Sequence, residues 1–173
     1  MIISLTGLMG CGKSSVGREL SRLLSWHFMD LDEVIVQREG RSIPEIFAQE
    51  GEEAFRRMEL EAFKAVIEGA EGRGTVLALG GGTVTTAECA DIAHNRTLCI
   101  YMKASVQTLK AHLEGQTEGR PLLCGQDIEE RLARLMYERG HIYEKTAHII
   151  IDTDGKSISE IAQEILKSSH HVR

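Results

Sequence analysis

The chain has 173 residues, 42% of them hydrophobic and 27% charged, enough for one globular unit with a real core. Its formal net charge of −6 argues against a nucleic-acid-binding surface, which is normally basic, but leaves room for a local cationic site that takes small anions. No apolar run nears the roughly 18 residues of a membrane span, so no membrane partner is expected, and a cytoplasmic monomer is the default expectation.

The first predicted strand is the apolar run Met1 to Thr6, and it leads into Gly7-Leu8-Met9-Gly10-Cys11-Gly12-Lys13-Ser14. That segment fits G-x-x-x-x-G-K-[ST], the phosphate-binding P-loop pattern. Behind it Val16, Leu20, Leu23 and Leu24 recur at helical spacing, so the order is strand, glycine loop, helix. Glycines let backbone N–H groups turn inward as a nest for phosphate oxygens, and the helix adds its partial positive end. Lys13 supplies a cation for the terminal phosphates, and the Ser14 hydroxyl is the expected Mg²⁺ ligand. Cys11 sits beside a helix start, where thiols can be reactive, although a small side chain that simply fits the loop is the plainer reading. Cys89, Cys99 and Cys124 complete four dispersed cysteines with no C-x-x-C pair, which reads as free thiols rather than zinc.

Trp26 to Met29 reads as the second strand, running into Asp30-Leu31-Asp32-Glu33. Alternation puts Asp30 and Asp32 on one side, at the strand end where open α/β sheets bind ligands. One carboxylate suits Mg²⁺ and the other a substrate hydroxyl, while helix capping is the structural alternative and compatible with both. Ser42-Ile43-Pro44-Glu45 is a capping box that starts a helix carrying Ile46 and Phe47. Gly51 interrupts it, and helix resumes from Glu52 to Ile67. Within it Arg56 and Glu59 are i,i+3 neighbours, and spacing alone favours a solvated surface pair over an arginine aimed at an anion.

Thr75 to Leu79 is a third buried strand, followed by Gly80-Gly81-Gly82, which implies close approach of a ligand or another segment. No aspartate ends this strand, so the Mg²⁺ role falls back on Asp30. A helix over Thr86 to His94, a strand over Thr97 to Met102 and a helix capped by Ser105 and ending at Leu113 follow. The polar, glycine-containing stretch from Glu114 reads as a flap, with Arg120 as a cis arginine finger. Then come a helix over Ile128 to Tyr137, Arg139 with Tyr143 at i+4, a fifth strand Ile149 to Ile151, a helix from about Ser157 to Lys167, and a tail expected to fray. Strands alternating with helices imply an α/β fold with a parallel sheet.

Six segments occur in a fixed order: the glycine loop, Phe28-x-Asp30-x-Asp32, Phe55-Arg56-x-x-Glu59, Gly80-Gly81-Gly82, Arg120-Pro121-Leu122-Leu123, and Arg139-x-x-x-Tyr143. Together they resemble the shikimate kinase family of small P-loop kinases, over nearly the whole chain. The resemblance implies a five-stranded parallel sheet in order 2-3-1-4-5 with a mobile lid. It implies one domain over 1–173, with a substrate-binding segment at 33–62 and the lid at 114–125. The reaction it implies is ATP plus shikimate giving ADP and shikimate 3-phosphate, with one Mg²⁺, in aromatic amino-acid biosynthesis. Gly10, Cys11, Gly12, Lys13, Ser14 and Ser15 would hold ATP phosphates, with Ser14 and Asp30 serving Mg²⁺. Asp32 would hold ring hydroxyls and take the proton from the attacking one. Arg56 and Arg139 would grip the shikimate carboxylate, with Glu59 orienting Arg56. Gly80, Gly81 and Gly82 would line the substrate, Phe47 and Phe55 would wall the pocket, Arg120 would come from the flap, and Lys156 would lie at the adenine loop. Against the family pattern, Glu114 to Gly119 contains no arginine to pack on adenine. A gluconate or nucleoside monophosphate kinase, a GTPase switch lacking its N-K-x-D element, and a non-catalytic ATP-binding module are the competing readings.

Overall fold

The computed structural model describes residues 1–114 and 127–172. Five parallel strands form one sheet: β1 (Ile2–Thr6), β2 (His27–Asp30), β3 (Thr75–Ala78), β4 (Leu98–Lys103) and β5 (Ile149–Asp152). Their spatial order is β2-β3-β1-β4-β5, as the family resemblance implies. β1 and β3 are buried at every residue, the continuous apolar pattern of strands covered on both faces. Leu5 faces helix α1 (Lys13–Leu24) at Gly17, while Ser4, pointing the other way, shares a 2.6 Å hydrogen bond with Thr97 at the end of α4 (Ala87–Arg96). One helix pair, α1 with α7 (Ile158–Ser169), packs together, and so does α4 with α6 (Ile128–Thr146). A single cluster of buried side chains runs through both layers.

Several boundaries differ from the sequence reading. β2 ends at Asp30, and Asp32 lies in the first turn of α2 (Leu31–Glu39), so the two aspartates do not share a strand face. The Asp30 side chain caps α2, and a capping aspartate ends the extended backbone at its own position. Helix α3 (Ile43–Gly69) starts with the expected capping box at Ser42 and Glu45 and with proline in its first turn. It kinks at Gly51, whose φ of 82° and ψ of 176° break the helical path without ending the element. Helix α6 does not stop at Tyr137 but continues to Thr146, because Gly140 and His141 carry no cap and buried Tyr143 keeps the apolar face in register. Helix α7 extends to Ser169, which is buried and donates to the Ile165 carbonyl at 2.6 Å, so the helix runs two residues past the expected end at Lys167. Helix α5 (Val106–Glu114) begins as expected, with the Thr108 N–H bonded to Ser105 Oγ at 3.2 Å.

Candidate active site

The loop after β1 narrows around two left-handed residues, Gly10 at φ 85° and Gly12 at φ 88°. An L side chain resists that conformation, so glycine at both is a backbone requirement. Helix α1 then opens at Lys13 with no side-chain cap, leaving its first N–H groups available to an anion. The Lys13 ammonium folds back onto the loop and donates to the carbonyls of Gly7 at 2.7 Å and Leu8 at 3.1 Å. Cys11 is buried beneath the loop, its Sγ 3.7 Å from Lys13 Nζ, as a small packed side chain. Cys89 and Cys99 are buried too; burial pushes their thiols up to about 12 and about 11, so they stay protonated and inert. Cys124 and the lid expectation, with Arg120 and Arg120-Pro121-Leu122-Leu123, lie outside the described residues.

Asp30 does two things at once. Its Oδ1 accepts from the N–H groups of Asp32 and Glu33, and its Oδ2 accepts from the Ser14 hydroxyl at 2.6 Å. The cap fixes the carboxylate, and the carboxylate brings a second hard oxygen donor beside the P-loop. Two oxygen ligands at the mouth of a phosphate site fit Mg²⁺, which takes one or two protein oxygens and completes its shell with water and phosphate. Among the described residues no group of three His, Cys, Asp or Glu forms a fuller metal cage.

The second half of the site is organised by the glycine turn after β3. A Cβ on Gly82 would lie 2.4 Å from Arg56 Nη2, and one on Gly80 would lie 3.0 Å from Asp32 Oδ1 and 3.1 Å from Glu59 Oε2. Gly81 faces Arg139, with Nη1 3.8 Å from the Cβ position, and the backbone N of Met9 at 3.5 Å. The turn is thus bare because α2, α3, α6 and the P-loop all close on it. Arg56 is not a solvated surface residue: its partner Glu59 is 1% exposed and accepts from Arg56 Nη1 at 2.8 Å and from Thr83 Oγ1 at 2.8 Å. Spacing alone could not show this, because the wall that buries Glu59 comes from the distant 3-10 turn Thr83–Thr85. The guanidinium also lies 5.3 Å from the Phe55 ring centroid, and the Phe55 ring packs at a tilt of 36° against Phe47, 4.8 Å between centroids. Phe55 is buried behind Phe47, so Phe47 forms the inner wall and Phe55 backs it.

Two contributors carried no role in the sequence reading. Thr83 completes the hydrogen bonding of Glu59, and fully buried Tyr143 donates its hydroxyl to the Gly81 carbonyl. Tyr143 was visible only as part of a motif; its bond depends on α6 continuing past Tyr137.

Asp32 lies between the two halves. Burial, then the negative charges of Asp30 and Glu59, raises its carboxyl from 3.8 to about 6, against the opposing pull of Lys13 and Arg56. One cavity of about 1190 Å³ connects the parts, running from the P-loop past Asp30 and Asp32 to Phe47 and Gly81. The cavity also reaches Lys156, whose ammonium pairs with Glu164 at 2.7 Å.

A P-loop joined through one cavity to a buried carboxylate and a glycine turn that two arginines approach, on a parallel sheet in order 2-3-1-4-5, defines a small-molecule kinase of the P-loop class. The sequence model of the shikimate kinase family matches residues 9–170, and the chain belongs to that family. It is 43% identical over 166 residues to a shikimate kinase of Thermus thermophilus, covering 95% of this chain and 88% of the relative. It is 42% identical over 163 residues to one from Geobacter sulfurreducens, covering 94% and 87%. Among solved structures, the shikimate kinase of Acinetobacter baumannii in complex with shikimate superposes with a TM-score of 0.92 at 32% identity, covering 99% of this chain and 94% of that one. The Aquifex aeolicus shikimate kinase gives 0.82 at 33% identity, covering 99% and 98%. The chain is therefore a kinase that uses ATP as co-substrate.

Proposed function

We propose that the chain phosphorylates the 3-hydroxyl of shikimate with ATP, and that the residues around Gly80 to Gly82 bind that acceptor. The observation that carries this reading is the convergence of Arg56, Arg139, Asp32 and Glu59 on one glycine turn beside the P-loop. Two guanidinium groups suit a carboxylate, and a carboxylate with bare backbone suits ring hydroxyls. The acceptor is small, anionic and polyhydroxylated, as the site requires.

Gly10 to Ser15 hold the ATP phosphates, and Lys13 exchanges its loop carbonyls for phosphate oxygens. Ser14 and Asp30 hold Mg²⁺, which when bound draws charge from the transferring phosphoryl group. Arg56 and Arg139 fix the acceptor carboxylate, and Glu59 with Thr83 keeps Arg56 in place. Phe47 closes the apolar side of the ring. The shikimate hydroxyl oxygen forms the new bond to the γ-phosphorus as the bond to the β,γ-bridging oxygen breaks, and ADP leaves. Asp32, with a carboxyl near 6, is ionised at neutral pH and takes the hydroxyl proton. Positioning and charge stabilisation supply most of the rate, as no covalent intermediate is required. Residues 33–62 act as the acceptor-binding segment within one domain, Arg120 and the 114–125 lid complete the nucleotide side, and Lys156 borders the base. The acidic net charge speaks against a nucleic-acid partner, and no helix among the described residues is long and apolar enough to cross a membrane. A cytoplasmic location, where ATP and Mg²⁺ are plentiful, suits the reaction.

The test is ADP release from ATP and Mg²⁺ with shikimate, gluconate or AMP as acceptor. Release that depends on shikimate is expected; release with another acceptor instead would overturn the roles of Arg56, Arg139 and Asp32.

A further inference from the structure

The last turn of α5 touches the P-loop through two consecutive side chains. His112 Nδ1 lies 2.7 Å from the Gly10 carbonyl oxygen. Leu113, fully buried, lies under the same residue: its Cγ is 2.9 Å from where a Gly10 Cβ would sit, and the Leu109 carbonyl is 3.3 Å away. A carbonyl only accepts, so Nδ1 carries the proton and the bond runs from the imidazole to the loop. His112 also lines the cavity that holds the P-loop, 102 residues away in sequence from the glycine it contacts.

The bond matters because of where it falls. The Gly10–Cys11 peptide lies between the two left-handed glycines, Gly10 and Gly12. Turning this peptide plane changes ψ of Gly10 and φ of Cys11, and the wide ψ range of glycine leaves the direction of its carbonyl to be set by its partners. In a trans peptide the carbonyl and N–H point to opposite sides. Here the Cys11 N–H is turned toward the Leu8 carbonyl at 3.3 Å, a long bond, and the Gly10 carbonyl is turned toward α5. The rotated alternative would set the Gly10 carbonyl against the Leu8 carbonyl, where the Cys11 N–H now points, and would break the turn that shapes the loop.

We infer that His112 is a positioning residue of the phosphate site: its Nδ1–H holds the Gly10 carbonyl toward α5 and keeps the loop in its phosphate-accepting form. Leu113 seats the glycine, and His112 sets the direction of its peptide. The effect belongs to nucleotide binding and leaves the acceptor half untouched, because the nearest groups at Gly80, Gly81 and Gly82 come from elements other than α5.

This inference rests on the loop being the ATP site, which ADP binding to the wild-type protein tests by itself, without any acceptor. Calorimetric titration with Mg²⁺-ADP, and with shikimate alone, is then compared for wild type, His112→Ala and His112→Asn. Asparagine places a donor N–H where histidine places Nδ1, so it preserves the bond and removes the ring. His112→Ala is expected to weaken ADP binding about three- to tenfold, the worth of one lost hydrogen bond, with shikimate affinity unchanged. His112→Asn is expected to recover most of the loss, and the ATP KM to follow the same order. Equal loss in His112→Ala and His112→Asn would place the ring on the nucleotide itself and overturn the inference. So would unchanged ADP affinity in His112→Ala, or a parallel loss of shikimate affinity. Absence of ADP binding in the wild type would instead strike the reading of the loop.

Discussion

At the residue scale the site is governed by charge placed where water is scarce. Asp32 is the clearest case, its carboxyl raised from 3.8 to about 6 by burial and by Asp30 and Glu59. The folded value lies above the unfolded one, so the protonated form is favoured in the fold. That stabilisation is complete below about pH 4 and is lost as pH rises through about 6. At neutral pH the ionised carboxylate costs the fold about 1–3 kcal/mol, a cost borne for function. Asp32→Asn is therefore expected to melt above wild type at about pH 7.5, with the gap closing toward about pH 4, while kcat falls by roughly 100-fold or more. Thermal scans across pH check the first part, and wild-type kcat/KM should rise through about pH 6; equal melting temperatures at both pH values would take the raised carboxyl away from Asp32. Arg139 presents its guanidinium to Gly81 from α6. Arg139→Ala is expected to raise the shikimate KM about 10- to 100-fold with little change for ATP, the worth of a charge-assisted contact. Steady-state kinetics with each substrate varied in turn decides it, and an unchanged shikimate KM would remove Arg139 from the site.

At the scale of elements, the turn after β3 is the junction. Gly80 and Gly82 leave no room for a Cβ because Asp32, Glu59 and Arg56 crowd them, and the tightest contact is Arg56 against Gly82. Gly82→Ala is expected to push Arg56 from its place and raise the shikimate KM about tenfold. It is also expected to lower the melting temperature, because buried Glu59 keeps only Thr83 as a close partner. ADP affinity should stay at the wild-type value; a variant with normal shikimate kinetics would show that Arg56 has room to move. The glycines themselves were plain in the sequence, and so was the expectation of close approach. What approached them was not. Arg56 and Glu59 read as an ordinary i,i+3 surface pair, since the burial of Glu59 comes from Thr83, 24 residues away. The end of α6 was likewise missed, because nothing local at Tyr137 stops or extends a helix; buried packing of Tyr143 does.

At the scale of the molecule, one cavity spans nucleotide and acceptor halves, and each ligand stabilises the fold it binds. Shikimate at about 100 times its Kd is expected to raise the melting temperature by roughly 5–10 °C, from about 2.7 kcal/mol of linkage. EDTA is expected to abolish turnover while leaving that shift in place, because the proposed Mg²⁺ ligands Ser14 and Asp30 lie beside the P-loop and are not among the proposed acceptor contacts at Gly80 to Gly82. Loss of the shikimate shift with EDTA would place the metal at the acceptor instead.

The sequence alone determined the strand–loop–helix order, the parallel α/β class and the phosphate-binding loop. Each depends on neighbours in the chain: apolar periodicity, glycines at fixed offsets, a capping box at Ser42. The order of strands and most of the site residues became readable through six ordered motifs. Only the tertiary structure decided that Asp30 both caps α2 and meets Ser14, that Glu59 is buried, that Tyr143 holds Gly81, and that His112 reaches Gly10. Those bonds join residues 16, 24, 62 and 102 positions apart, and burial and pairing over such separations depend on how helices close on the sheet.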